Sequence, residues 1–148
     1  MGVIKINDEI VIREMKKCDL EEALKLWRIS FNAGFSTNFD TKEILIKYLN
    51  RNPKLSSVAC TKDEKIVGAL ICGHDGRRGS IYHTAVYNEY RNKGIGRRME
   101  QRSLAELKKV GITTGFLFIN INNPGSEEFW NSIGWTVIPD IKYLYKEF

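Results

Sequence analysis

Cysteine is scarce and unpatterned in this chain. Cys18, Cys60 and Cys72 lie far apart, and no pair has metal-binding or redox spacing. That excludes a disulfide framework or a zinc module as the source of stability, and an odd set fits a reducing compartment. Each cysteine is read as a small apolar core filler. Long hydrophobic runs are also missing. No stretch approaches the roughly 20 apolar residues of a membrane helix, and Met1-Gly2-Val3-Ile4-Lys5 does not open a signal peptide. A soluble, cytoplasmic protein is therefore expected. Repeats and low-complexity tracts are absent, which excludes solenoids and fibrous arrays. No metal site is expected.

What is present suits one domain spanning residues 1–148. Apolar residues make up 43%, enough for a core without disulfides or metals. The net charge of +5 favours an anionic partner. The basic residues gather at Arg77-Arg78 and at Arg91, Lys93, Arg97, Arg98 and Arg102, the second group beside a Gly-x-Gly turn. That is a local phosphate site more than a duplex-sized footprint.

Patterning predicts the element order. Glu9 to Met15 reads as a strand. Asp19 opens a helix with Glu22 completing a capping box, and Leu20, Leu24, Trp27 and Phe31 face the core at helical spacing. Residues 32–40 read as a loop, followed by a helix from Thr41 to Asn50. Ser56–Thr61 and Lys65–Gly73 form a hairpin. His74-Asp75-Gly76 turns into a strand at Ser80–Tyr87. A long helix spans Lys93 to Val110, with Ile95, Met99, Ser103, Leu107 and Val110 in one stripe. Gly115–Ile121 is apolar enough for a strand buried on both faces. Ser126–Ile133 is a short helix, and strand-like segments run on to Phe148. The Ser80 and Gly115 strands should pair in parallel through a right-handed crossover. This is a mixed α/β architecture with a single βαβ unit.

The turn Arg91-Asn92-Lys93-Gly94-Ile95-Gly96 joins a strand to that long helix. Its glycines permit close backbone approach to a ligand. The first helical turn leaves N–H groups free and its dipole favours an anion. A pyrophosphate suits the arrangement; a solvated basic turn is the bland alternative. No Gly-Lys-Ser/Thr follows, so it is not a Walker loop, and it lacks the dinucleotide fingerprint.

At these residues the chain resembles the GNAT superfamily of N-acetyltransferases. Thr84 to Gly96 is similar to that family's central motif, in which a strand end is followed by Arg/Gln-x-x-Gly-x-Gly/Ala and a helix. Asn123-Pro124-Gly125-Ser126-Glu127-Glu128-Phe129-Trp130-Asn131-Ser132-Ile133-Gly134-Trp135 resembles the family's Asn-x-x-Ala-x-x-Phe-Tyr-x-x-x-Gly-Phe segment. Gly73 to Gly79 is similar to a subset near RimI-like and YpeA-like proteins. The resemblance implies a mostly antiparallel mixed sheet with a central βαβ crossover, parallel splayed strands and about four flanking helices. It implies acetyl-CoA as co-substrate. Pantetheine would pair with backbone at Ala85, Val86 and Tyr87. The pyrophosphate would rest on Arg91, Asn92, Lys93, Gly94, Ile95, Gly96 and Arg97. Asn123 would bond the pantetheine; equally, Asn-Pro is a good helix N-cap. Partners would be acetyl-CoA and an amine acceptor; a homodimer stays open, and membrane and nucleic acid are disfavoured.

The implied reaction is acetyl transfer from acetyl-CoA to a primary amine of a small molecule or protein. The amine must lose a proton, and the developing oxyanion needs a donor, for which the Val86 or Tyr87 N–H is expected. The family's usual tyrosine acid is replaced by Trp130, expected as a cofactor-binding residue whose indole N–H can donate a hydrogen bond but cannot serve as an acid near neutral pH. Tyr143 and Tyr145, expected on a last strand, are candidate substitutes. Strict alternation puts Ser80, Tyr82 and Thr84 on one strand face and Ile81, His83 and Ala85 on the other. The resemblance implies a base on the face of Ser80 and Tyr82, which makes Tyr82 a candidate participant in a water-relayed base; His83, on the other face, is read as a satisfied, semi-buried side chain. Asp40 is read as the cap of the second helix. A non-catalytic acyl-CoA-binding regulatory domain is the alternative function.

Overall fold

A computed structural model describes residues 9–31 and 39–148. Most of the expected loop at 32–40, Phe35 included, lies outside them. The chain divides into two compact units, up to Phe118 and from Ile119.

The first unit holds five strands in the order β1-β2-β3-β4-β5. They are β1 (Val11–Glu14), β2 (Ser57–Cys60), β3 (Ile66–His74), β4 (Gly79–Val86) and β5 (Gly115–Leu117). Neighbours up to β4 are antiparallel, and β4 and β5 are parallel. The crossover between them is α3 (Ile95–Lys109), while α1 (Leu20–Phe31) and α2 (Lys42–Arg51) follow β1. This is the mixed sheet and single βαβ unit expected from the sequence.

α1 and α2 cover one face of the sheet. Leu20, Leu24, Trp27 and Leu45 pack there with Val58, Ala69, Ile71 and Ala85. The helical stripe read from the sequence is thus the core stripe. The entry to α1 differs from expectation. Asp19 closes a 3₁₀ turn, Lys17–Asp19. Its carboxylate accepts two bonds from Arg13, at 2.8 and 3.0 Å, and one from the Lys16 N–H at 2.8 Å. Glu22 does not complete a capping box; it accepts the Ile66 N–H at 3.1 Å and so ties α1 to β3.

α3 packs on β2 and β3. Ile95, Met99, Ser103 and Leu107 are buried, as the stripe predicts, but Val110 is 56% exposed because the helix has ended before it. Ser103 is satisfied in the core by Ser57 Oγ at 2.7 Å and by the Leu55 carbonyl at 2.6 Å. Cys60 and Cys72 fill core space as read, and burial pushes the Cys72 thiol up to about 12. Cys18 is exposed, contrary to that reading.

β5 is shorter and less buried than its apolar sequence suggests. Gly115 is exposed, Phe116 and Leu117 are half-buried, and Phe118 is 53% exposed. Among the described residues it is the edge of the sheet, with a paired neighbour on one side only. An apolar run marks a strand without fixing how many faces are covered.

The second unit holds α4 (Ser126–Ser132) as expected. Trp130 is buried, with its ring 4.9 Å from Phe129 and 5.8 Å from Trp135, both edge-on. The expected final strands are not formed among the described residues: no strand follows β5.

Candidate active site

Parallel pairing of β4 with β5 covers Gly79–Ile81 only, whereas β4 runs on to Val86. From Tyr82 onward its β5-side edge has no strand partner in the sheet. The Tyr87 N–H donates to the Val67 carbonyl at 2.9 Å, so it is not a donor for substrate. Antiparallel bonding alternates along the strand, which turns the preceding Val86 N–H away from β3 and toward that splayed edge. Of the two donors expected from the sequence, Val86 is the one the geometry retains. The Val86 carbonyl accepts from Arg91 Nε at 3.0 Å, which folds the turn back on the strand.

The turn itself contains two left-handed residues, Asn92 at φ 63° and Gly94 at φ 78°. Gly94 is the N-cap residue of α3 and offers no side chain to the helix. The first-turn N–H groups therefore have no intrahelical partner. Arg98 N is the first to bond back, to the Gly94 carbonyl at 3.0 Å. A Cβ placed on Gly94 would meet nothing within 4 Å, so the cradle is open. No acidic residue lies in this first turn.

The five cations divide by role. Arg98 donates to the Ile10 carbonyl, and Arg102 turns inward to Ser56 O and Ser57 Oγ. Arg91 holds the strand end. Lys93 and Arg97 have no ion-pair partner among the described residues. Unpaired N–H groups, a helix N-terminus and two unpaired cations fit a pyrophosphate.

Before this turn, β4 departs from regular alternation. Ala69 pairs with Ala85 and Ile71 with Tyr82, so Leu70 alone faces both His83 and Thr84. This is a β-bulge, and His83 sits in it at φ 56°. The bulge resets the strand's parity. His83 comes to the Tyr82 face, with its ring 5.2 Å from Trp27, 6.0 Å from Phe31 and 6.4 Å from Tyr82. Ala85 joins them in the α1–α2 core. The alternation that separated His83 from Tyr82 is therefore overturned. A single extra residue in the middle of a strand leaves no signature in its apolar pattern.

His83 Nε2 lies 2.7 Å from Asp40 Oδ2, with side-chain exposures of 20% and 9%. Asp40 does not cap α2. Thr41 does, accepting the Ile44 N–H on Oγ1 at 3.2 Å. Asp40 also walls a cavity of about 350 Å³ with Glu21, Leu24, Arg28, Thr41 and Lys42. Thr84 Oγ1, beside His83, is buried and has no hydrogen-bond partner among the described residues.

Other expected residues fall elsewhere. Asn123 does not cap α4, whose N-cap is Gly125; its N–H donates to Asn120 O and its carbonyl accepts from Ser126 N. Tyr143 is 67% exposed and lies outside any strand, as does Tyr145, which donates to Glu147 at 2.6 Å.

Known proteins match this arrangement. The profile of the acetyltransferase (GNAT) family fits residues 20–135. An acetyltransferase of Photorhabdus laumondii is 33% identical over 106 residues, 70% of this chain and 68% of that protein. One from Sodalis glossinidius is 30% identical over 118 residues, 79% and 78% of the two chains. The chain belongs to the GNAT acetyltransferase family. This acetyltransferase uses acetyl-CoA as co-substrate and transfers the acetyl group to nitrogen. Its fold is shared with the PaiA N-acetyltransferase of Thermoplasma acidophilum, solved with coenzyme A: TM-score 0.73, 20% identity, covering 88% of this chain and 91% of that one. It is likewise similar to an aminoglycoside acetyltransferase from an uncultured soil sample, solved with sisomicin: TM-score 0.73, 22% identity, covering 94% and 96%. Among the described residues, no helix is long and apolar enough to cross a membrane.

Proposed function

We propose that this acetyltransferase binds acetyl-CoA along the β5-side edge of β4 and on the Arg91–Arg97 turn, and acetylates a primary amine. The splay carries the reading: β4 loses its partner after Ile81 and runs on, unpaired on that side, to the glycine-opened N-terminus of α3. Extended backbone at Ala85 and Val86 suits the amides of a pantetheine arm. The N–H groups at the start of α3, with Lys93 and Arg97, suit its pyrophosphate. Asn123 and Trp130 are kept as cofactor residues on the motif alone. Within the family, Gly73–Gly79 supports a place near RimI-like and YpeA-like proteins. The lack of a membrane-length apolar run supports a cytoplasmic setting.

Bound acetyl-CoA supplies a thioester carbonyl for the amine to attack and a thiol as leaving group. The residues of this chain do the rest. Val86 N–H points to the edge where negative charge develops on the carbonyl oxygen; one such donor typically contributes about 10²–10³ in rate. Lys93 and Arg97 anchor the phosphates far from the reacting carbon. Binding energy gained there orients the thioester at no cost to the chemical step.

Thiol release from acetyl-CoA, screened over polyamines, amino acids, aminoglycosides and N-terminal peptides, tests this reading. Turnover with an amine supports it. Saturable CoA binding with no turnover on any amine would instead favour the regulatory alternative.

A further inference from the structure

We propose that His83, held by Asp40, takes the proton from the acceptor amine, with Asp40 as its positioning residue. The inference rests on the cofactor reading above and adds the base that the sequence did not reveal.

Three observations meet at His83, the first two being aspects of the same bulge. The first is backbone strain. A non-glycine residue at φ 56° inside a strand is held against a penalty on the order of 1 kcal/mol. The surrounding structure must impose that conformation. The second is direction. The bulge swings the imidazole onto the α1–α2 face, within the splayed segment that runs from Tyr82 to Val86. The third is the partner. Asp40 comes from 43 residues away in sequence, is nearly buried, and meets Nε2 at 2.7 Å.

The bond fixes the chemistry of the ring. In the proposed state Asp40 is ionised and can only accept, which assigns the shared proton to Nε2 and the role of base to Nδ1. A carboxylate that orients imidazole and stabilises its protonated form is the recurring second member of a base pair. Among the described residues no group of three His, Cys, Asp or Glu could hold a metal ion.

The step balances as follows. The acceptor ammonium gives one proton to His83 Nδ1, which later passes it to water. The freed lone pair forms the N–C bond while the C–S bond breaks. A second proton leaves the nitrogen for the departing sulfur. Among the described residues, the titratable or charged groups facing the dyad are Tyr82 on β4, Glu21 and Arg28 on α1, and Lys42 on α2, the last three sharing the Asp40 cavity.

The chain has only two histidines, so His74→Gln assigns the ring signals of His83 in an ¹⁵N spectrum of the CoA-bound protein. The expected spectrum shows the proton on Nε2 and an Nδ1 signal that moves with protonation between pH 5 and 9. In parallel, thiol release is measured with the best amine of the screen, or with water as acceptor. His83→Gln should lower kcat/KM by about 100-fold or more and remove the low-pH limb of its profile, leaving CoA affinity within about threefold. Asp40→Asn should lower kcat, disturb the tautomer and spare CoA affinity. Calorimetry of CoA with wild type checks the cofactor reading separately. A His83 ring that never changes protonation in this range would overturn the proposal. So would unchanged turnover and pH profile in His83→Gln with CoA binding intact.

Discussion

Replacing Gly96 by valine separates the cofactor cradle from the fold. Gly96 is the second residue of α3 and is not among the residues at positive φ. Valine is a slightly better helix former than glycine, by a few tenths of a kcal/mol. The apo protein should therefore melt within about 2 °C of wild type. A branched side chain in the first turn of α3 should crowd phosphates bound at its N–H groups. A loss of about 2 kcal/mol there corresponds to roughly 30-fold weaker CoA binding. At a CoA concentration 100 times the wild-type Kd, ligand binding stabilises wild type by about 2.7 kcal/mol. That is about 5–10 °C in Tm for a domain of this size. The variant would gain only about 0.9 kcal/mol, or about 2–4 °C. Thermal melts with and without CoA read both numbers in one assay. An unchanged CoA-induced shift in the variant would refute the cradle. Gly94→Val is the less discriminating choice, because φ 78° adds backbone strain to any loss of ligand.

Thr84→Val keeps the β-branch and removes a buried hydroxyl that has no partner among the described residues. Its unfolding free energy, from urea titration, should stay level or rise by up to about 1 kcal/mol; a loss beyond about 1 kcal/mol would show that Oγ1 is bonded. Arg13→Ala strands the Asp19 carboxylate, which is only 6% exposed. Urea unfolding should report a loss of about 2 kcal/mol, below the value for a fully buried pair because Arg13 is partly exposed. Asp75 accepts the Arg77 and Arg78 N–H groups at 2.8 and 3.0 Å, and these bonds hold its carboxyl down to about 2. Its folded value lies below the unfolded one, so its contribution is complete above the unfolded value near ~3.9 and fades as pH falls through about 2. A carboxyl ¹³C titration midpoint near 4 would contradict this.

Local pattern made much of the fold legible. The α1 stripe of Leu20, Leu24 and Trp27, the β2–β3 hairpin, α3 and its Gly-x-Gly start were all readable, because each depends on residues close in sequence. The phosphate turn was readable for the same reason. What escaped is non-local. Glu22 left its capping box because the Ile66 N–H, 44 residues away, offered a better use. Asp40 resembled a helix cap until Thr41 took that role and His83 claimed the carboxylate. The β4 bulge had no signal at all, since His83 and Thr84 are ordinary strand residues. Parity reasoning assumed regular pleating and so put the imidazole on the wrong face.

The central claim is that acetyl-CoA lies on the β4 edge and the α3 N-terminus. A crystal structure with acetyl-CoA bound tests it most directly. The predicted result has pyrophosphate oxygens within hydrogen-bond reach of N–H groups between Gly94 and Arg97, and the thioester beside Val86 N–H. A cofactor seated away from the Arg91–Arg97 turn, or a thioester remote from the end of β4, would contradict it.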